Sequence, residues 1–179
     1  MPLIAQHIAP VRRGYLRTEN RRSLRYNRTF MKISIGSDHA GFELKQVLAK
    51  QLADAGHELV DVGAHEYVAG DDYPDFALAV ARKVRDGEAA RGVVCCGSGV
   101  GACVAANKVK GVRACLCHDT YSAHQGVEHD DMNVICLGGK IVGVALAGEI
   151  VESFTAASYT PTEKFQRRLD KVLKAEAEG

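Results

Sequence analysis

From position 31 onward, the pattern of apolar and polar residues predicts strands and helices in alternation. Apolar runs short enough for buried strands lie at 32–36, 57–62, 92–96, 112–117 and 134–138. Apolar residues three or four positions apart predict helices at 41–55, 73–87, 102–109, 120–127 and 142–154. A last amphipathic helix is predicted from about 162, with an apolar side formed by Phe165, Leu169, Val172 and Leu173.

This alternation predicts an α/β fold with a mostly parallel sheet that helices cover on both faces. In open sheets of this kind, ligands bind beyond the carboxyl ends of the strands. Polar or reactive residues follow three of the predicted strands, namely Ser37, Asp38 and His39, then Cys96, then His118 and Asp119. The candidate catalytic and binding residues therefore follow the carboxyl ends of the strands, where this topology is expected to bind a ligand.

The most informative motif is the glycine turn GSGVG, residues 97–101, which directly follows Cys96. Glycines permit positive φ and a close approach of the backbone to a ligand. Successive backbone N–H groups form a concavity that prefers an anion, and the Cys96 thiol at its lip is a candidate base or nucleophile. The spacing matches neither the dinucleotide fingerprint nor the P-loop, and a ligand-free turn is the alternative. The neighbouring Cys95 is expected to be a core residue.

Asp38 and His39 precede the first predicted helix, and two interpretations are open for them. In the first, the Asp38 carboxylate accepts backbone N–H groups as a helix cap, which leaves His39 unexplained. In the second, the carboxylate and the imidazole face a hydroxylated, anionic substrate.

The polar cluster EHDDMN at 128–133 precedes the last predicted strand. Asp and Asn in such clusters commonly bond their own backbone in turns, and the spacing matches no known set of metal ligands. No metal is therefore expected, although a metal site is the alternative. His129 is a candidate acid–base group, because imidazole titrates near neutral pH.

Basic residues lie along the last predicted helix. A solvated basic face is the ordinary interpretation, and a phosphate clamp is the more specific one. Arg168 is the best candidate for bidentate phosphate binding, and the full set is Lys164, Arg167, Arg168, Lys171 and Lys174.

The 179 residues are 46% hydrophobic and 25% charged, which is typical of one globular domain. No apolar run approaches the roughly 20 residues of a membrane span. Six cysteines, none spaced C-x-x-C, favour reduced thiols in the cytoplasm. Residues 1–30 carry seven arginines and one glutamate, a net charge of +6 that leaves −5 for residues 31–179. An acidic body argues against nucleic-acid binding.

The arginine-rich residues 1–30 are predicted to be an extension, and residues 31–179 the functional domain. The extension lacks the apolar segment of a secretory signal. Three interpretations are open: a disordered arm, sequence upstream of a true start at Met31, or an organellar transit peptide. The first two are favoured, because a complete strand begins at Met31.

Six motifs occur in order along residues 31–171: GSDHAGFELK (36–45), DYPDFA (72–77), CGSGVG with AANK (105–108), GVRA (111–114), EHDDMNV (128–134) and QRRLD (166–170). Together they resemble type B ribose-5-phosphate isomerases, a group that includes allose-6-phosphate and galactose-6-phosphate isomerases. The resemblance implies a Rossmann-like α/β/α sandwich with a five-stranded parallel sheet. It also implies a homodimer, or possibly a tetramer, whose active sites use residues of two subunits.

The resemblance implies a metal-independent aldose–ketose isomerase without a cofactor. Such an enzyme interconverts ribose 5-phosphate and ribulose 5-phosphate through an enediolate in the pentose phosphate pathway. The alternatives are isomerisation of allose 6-phosphate or galactose 6-phosphate, or a non-catalytic sugar-phosphate-binding protein. Neither nucleic acid nor membrane is an expected partner.

The resemblance also assigns roles to individual residues. Cys96 corresponds to the base that moves a proton between C1 and C2, and Ser98 to a hydroxyl that moves protons between O1 and O2. His129 corresponds to the group that opens the furanose ring, and Asp38 is placed with these catalytic residues. The other substrate-binding positions are His39 and Tyr73 at the sugar, and Gly97, Gly99, Val100 and Gly101 in the anion hole.

Phosphate binding in the family corresponds to Lys140, Lys164 and Arg168, of which the first two are commonly Arg. Asp130, a further substrate-binding position, lies where many relatives have Asn, and Phe165 replaces a frequent His. A subgroup uses a Glu just after the glycine turn as the base. Ala102 lies in that region here, so Cys96 is the expected base.

Overall fold

A computed structural model of the chain describes residues 30–179. Its strands are β1 (Lys32–Ser37), β2 (Glu58–Asp61), β3 (Arg91–Cys96), β4 (Ala114–Leu116) and β5 (Val134–Gly138). Its helices are α1 (Phe42–Asp54), α2 (Tyr73–Arg85), α3 (Val100–Ala106), α4 (Thr120–Asp130), α5 (Val144–Ala156) and α6 (Glu163–Glu178). All strand pairs are parallel, in the order β2-β1-β3-β5-β4.

Helices cover both faces of this sheet. On one face α1, α4 and α5 contribute buried residues such as Leu48, Val127 and Phe154. On the other face α2 and α3 contribute smaller ones such as Val80 and Ala102. The predicted three-layer, Rossmann-like α/β/α sandwich with a five-stranded parallel sheet is confirmed, because apolar strands buried on both faces need a helical layer on each.

The adjacent cysteines at the end of β3, Cys95 and Cys96, lie on opposite faces of the sheet. Cys95 is fully buried in the layer of α1, α4 and α5, whereas Cys96 belongs to the layer of α2 and α3. Successive strand residues face opposite sides of a sheet, which explains the difference. Burial raises the pKa of Cys95 to about 12. The prediction that Cys95 is a core residue is confirmed.

Two helix boundaries differ from the pattern in ways that matter for the site. Helix α3 begins at Val100, within the glycine turn, rather than at 102. Helix α4 continues to Asp130 rather than 127, and ends where Asp131 takes a left-handed conformation with φ of 51°. His129 and Asp130 therefore lie on the last turn of a helix instead of in a loop.

A buried lysine anchors the loop that follows β2. Lys45 of α1 is fully buried, and its Nζ donates to both carboxylate oxygens of Asp61, at 2.8 and 2.7 Å, and to the carbonyl of Ala64, at 2.8 Å. A buried ammonium is tolerated only when it is paired in this way. The ion pair connects α1 to the segment that leads toward the edge where ligands are expected.

Apart from Phe30, the predicted extension over residues 1–30 lies outside the described residues. Among residues 30–179, no helix combines the length and the apolar character that crossing a membrane requires.

Candidate active site

The site is built around the turn that follows Cys96, at the carboxyl end of β3. The backbone N–H of Gly99 donates to the Cys96 sulfur at 3.1 Å, so this amide can stabilise negative charge on it. Gly99 has a φ of 83°, and a Cβ there would lie 2.4 Å from Leu116 Cδ1. Only glycine fits this position without strain, which explains why residue 99 is a glycine.

Two side chains border the turn. A Cβ on Gly101 would lie 2.6 Å from the ring of Tyr73, so Tyr73 at the start of α2 closes one side. Ser98 is exposed, and its Oγ accepts a hydrogen bond from the N–H of Val100 at 3.3 Å. The hydroxyl thus lies within the turn and remains accessible to a ligand.

The segment after β1 packs directly against the turn. A Cβ on Gly41 would lie 2.4 Å from the carbonyl carbon of Cys95, so only glycine permits this approach. Asp38 is 6% exposed, and its Oδ1 accepts a hydrogen bond from the Gly41 N–H at 2.9 Å. Burial raises the pKa of Asp38, and the Gly41 hydrogen bond offsets part of this effect. The helix-cap interpretation is therefore partly right, since Asp38 bonds the N-cap residue of α1 without being it.

His39 is held by an acid that the sequence analysis did not single out. Asp71 Oδ1 lies 2.7 Å from both the backbone nitrogen and the Nδ1 of His39. The hydrogen bond that the His39 ring donates to Asp71 is the main reason that the pKa of His39 is raised. The ring of Tyr67 packs edge-on to the His39 ring, with 6.2 Å between centroids. In the sequence, the only indication of this role is that Asp71 lies in the polar segment before Tyr73. That segment contains several acids, and the sequence does not distinguish among them.

Lys140 joins this edge from the segment after β5. Its backbone N–H donates to the carbonyl of Gly97 at 3.0 Å, and its Cδ lies near Gly97. The side chain is exposed and forms no ion pair with any residue from 30 to 179. We call the residues at this edge the cysteine group: Asp38, His39, Tyr73, Cys96, residues 97–101 and Lys140.

The remaining predicted residues lie on α4 and α6. His129 stacks on Phe165 with 3.9 Å between ring centroids, and Gln125 Nε2 lies 2.9 Å from His129 Nδ1. Because the amide nitrogen is a donor, this contact leaves the ring proton of a neutral His129 on Nε2. The Lys164 ammonium lies over Phe165 at 5.7 Å. We call this set the histidine group: His129, Asp130, Lys164 and Arg168.

The two groups lie at opposite ends of the strands: the cysteine group is at their carboxyl ends and the histidine group is near their amino ends. β3 and β5 are parallel, with Gly92 beside Val134 and Cys96 beside Gly138. Cys96 ends its strand, whereas His129 precedes the first residue of β5. Four strand residues at about 3.3 Å each separate these ends by roughly 13 Å. A single chain therefore does not bring His129 to Cys96.

No cluster of three or more His, Cys, Asp or Glu side chains arranged to hold a metal occurs within the described part of the chain. The polar segment 128–133 serves other contacts there. Asn133 Oδ1 accepts from the Arg113 N–H at 2.8 Å, and Arg113 also pairs with Asp131. These contacts fix the turn into β5, as Asp and Asn in turns commonly do.

Comparison with known proteins places this architecture in a family. The family model described as Ribose/Galactose Isomerase matches residues 33–172. The ribose-5-phosphate isomerase B of Mycolicibacterium paratuberculosis is 41% identical over 140 residues, which cover 78% of this chain and 88% of that protein. The galactose-6-phosphate isomerase subunit LacB of Clostridium acetobutylicum is 43% identical over 136 residues, covering 76% and 78%.

A solved structure agrees with the sequence comparisons. The ribose-5-phosphate isomerase B of Mycoplasma genitalium, with bound ribulose 5-phosphate, superposes with a TM-score of 0.78 at 40% identity. The match covers 83% of this chain and 97% of that one. The matched range and the shared fold show that the chain belongs to the ribose/galactose isomerase family.

Proposed function

We propose that this protein is a metal-independent ribose-5-phosphate isomerase of type B, which interconverts ribose 5-phosphate and ribulose 5-phosphate. The observation that carries the proposal is the contact between the Gly99 N–H and the Cys96 sulfur within the glycine turn. This contact places a candidate base beside amides that favour an anion. The relatives named ribose-5-phosphate isomerase B support the choice of substrate.

The chemistry follows from the cysteine group. The Cys96 thiolate removes the proton from C2 of the open-chain aldose, and the electron pair moves toward O1 to form an enediolate. The backbone amides of residues 97–101 stabilise the negative charge where it develops, a type of contact often worth about 3 kcal/mol for each donor. Ser98 moves a proton from O2 to O1, and Cys96 returns its proton to C1.

The histidine group supplies what the cysteine group lacks. Opening the furanose ring requires removal of a proton from the anomeric hydroxyl and delivery of one to the ring oxygen, and imidazole suits both steps. His129 is too far from Cys96 in its own chain to act on the same sugar. We infer a homodimer in which the histidine group of one subunit completes the cysteine group of the other.

Surface composition supports contact at this edge. Val100 and Val104 of α3, directly beside the turn, are 52% and 57% exposed. Exposed apolar side chains next to a site are typical of contact surfaces. The pairing also brings Lys164 and Arg168 of one subunit to Lys140 of the other, which gathers three cations for one phosphate. Within residues 30–179, none of these three side chains has a carboxylate oxygen within 4.0 Å, so no ion pair there competes with a phosphate for them.

The second candidate substrate class is a hexose 6-phosphate, and the likeness to a galactose-6-phosphate isomerase subunit favours it. More of the relatives carry the ribose-5-phosphate name, so the pentose is preferred. We place the enzyme in the cytoplasm and in the pentose phosphate pathway. The six free cysteines, which a reducing compartment preserves, support that location.

A coupled assay tests the proposal. The purified protein, assayed in EDTA, is offered ribose 5-phosphate, allose 6-phosphate or galactose 6-phosphate, and ketose formation is followed. Turnover of ribose 5-phosphate with the highest kcat/KM, abolished by Cys96→Ala, is expected. Preference for a hexose phosphate would select the second candidate, and turnover of none of the three would overturn the proposal.

A further inference from the structure

Asp71 contacts both the backbone and the imidazole ring of His39. A single carboxylate oxygen, Oδ1, lies 2.7 Å from the backbone nitrogen of His39 and 2.7 Å from its Nδ1. Asp71 belongs to the segment between β2 and α2, 32 residues further along the chain. The loop therefore holds both the backbone and the ring of His39, a residue of the cysteine group, through hydrogen bonds.

This contact selects the state of the imidazole. A carboxylate only accepts hydrogen bonds, so Nδ1 carries a proton and donates it to Asp71. The other ring nitrogen, Nε2, bonds no residue in the described part of the chain. Nε2 is consequently available to a ligand, as a donor when His39 is protonated and as an acceptor when it is neutral.

The surroundings of His39 favour the same orientation. Its side chain is 32% exposed and borders a cavity of about 270 Å³ that Glu43, Tyr67 and Gly139 also line. Tyr67 packs against the ring, so the loop restrains the ring at its face as well as at Nδ1. The acids nearest to the imidazole are Asp71 and Asp38, with Glu43 across the cavity. Asp71 and Asp38 both favour its protonated form.

We propose that Asp71 is a positioning residue for the isomerase: it fixes the tautomer and orientation of His39 so that Nε2 meets a hydroxyl group of the sugar. The proposal rests on the proposed function, because it needs a sugar in the cysteine group. Asp71 acts through His39 and does not itself reach the substrate. Its carboxylate has the same relation to the ring as the acid that orients a histidine in other active sites.

A simpler role is that Asp71 only anchors its loop through the His39 backbone. Asp71→Asn separates the two roles, since its amide oxygen can still accept from the backbone N–H while the negative charge is lost. Asp72→Asn is the matched control, because Asp72 is adjacent, exposed, and forms no side-chain cap for α2.

The first measurement does not depend on activity. The ring nitrogens of the seven histidines are followed by ¹⁵N NMR across pH, and His39 is assigned by its loss in His39→Gln. We expect the neutral imidazole of His39 to carry its single ring proton on Nδ1. We expect the pKa of this ring to lie above the ordinary value, to fall in Asp71→Asn and to stay raised in Asp72→Asn. An unchanged titration of His39 in Asp71→Asn would overturn the proposal, whether or not the protein isomerises a sugar.

The second measurement asks whether the effect passes through His39. Asp71→Asn is expected to lower kcat/KM on the order of 10-fold, the scale at which partners that orient a histidine act. In the His39→Gln background, Asp71→Asn should cause no further loss. An equal further loss there would assign Asp71 to anchoring alone and refute positioning.

Discussion

Cys96 and His129 lie at opposite ends of the strands of one parallel sheet: Cys96 is at the carboxyl end of β3, and His129 is on α4, before the start of β5. The base proposed for the enediolate step and the imidazole proposed for ring opening therefore cannot meet on one substrate within a chain. In the proposed dimer, each end of the sheet carries one part of the site and a second copy of the chain supplies the other part.

Mixing two inactive variants tests this arrangement. Cys96→Ala and His129→Asn each remove one step, so each homodimer should be inactive on ribose 5-phosphate. In a mixed dimer, one of the two shared sites contains an intact Cys96 and an intact His129. Random exchange after mild dissociation should restore about one quarter of the parent activity, because half of the dimers are mixed.

The control is a mixture of Cys96→Ala with Cys96→Ser, in which no dimer contains an intact site. It should remain inactive under the same exchange. Recovery in both mixtures, or in neither despite exchange shown by mass spectrometry, would contradict a site shared between subunits.

The two adjacent cysteines should respond differently to substitution. Cys96→Ser leaves a hydroxyl that is too weak a base, so kcat should fall by at least about 100-fold with the fold intact. Cys95→Ser places a hydroxyl in a fully buried position, which should cost about 1–3 kcal/mol of stability while most activity is kept. Thermal unfolding and the coupled assay measure the two effects. Equal loss of activity in both folded variants would refute the assignment.

Phosphate recognition should depend on the type of cation at α6. Arg168 offers a planar fork that can bind two phosphate oxygens, whereas Lys164 is a point charge. Arg168→Lys should therefore raise KM for ribose 5-phosphate several-fold with little change in kcat, and Lys164→Arg should lower KM. Arg167→Lys is the control, because Arg167 lies 3.9 Å from Glu163 on the same helix and is not assigned to phosphate. A similar KM increase in the control would show that the effect does not depend on a guanidinium fork at position 168.

The alternation of strands and helices was predictable because β3 and its neighbours are buried on both faces and carry short, apolar runs. The separation of Cys95 from Cys96 was also predictable, since it depends only on the two-residue period of a strand. Helix ends were harder to predict. The last turn of α4 depends on the left-handed Asp131, a conformation that the sequence signals only weakly.

Contacts between distant segments were not predictable from pattern. Lys45 was expected on α1, but its burial against Asp61 depends on a partner 16 residues away. Asp71 lies in a loop with several acids, and only the folded chain shows which of them reaches His39. The stacking of His129 on Phe165 likewise depends on how α6 packs against α4. Such contacts need the relative placement of elements, which local periodicity does not contain.

The role of His129 can be separated from that of Cys96 by the choice of substrate. Ribose 5-phosphate is largely cyclic and must be opened, whereas erythrose 4-phosphate cannot close to a furanose. His129→Asn should therefore greatly reduce turnover of ribose 5-phosphate and spare erythrose 4-phosphate, which is first shown to be a substrate of the parent enzyme. Cys96→Ala is the control and should lose both activities, because both substrates require the enediolate step. Since His129 also stacks on Phe165, thermal unfolding is measured in parallel to detect a loss of packing. If a folded His129→Asn loses both substrates equally, His129 takes part in isomerisation itself and the ring-opening role is wrong.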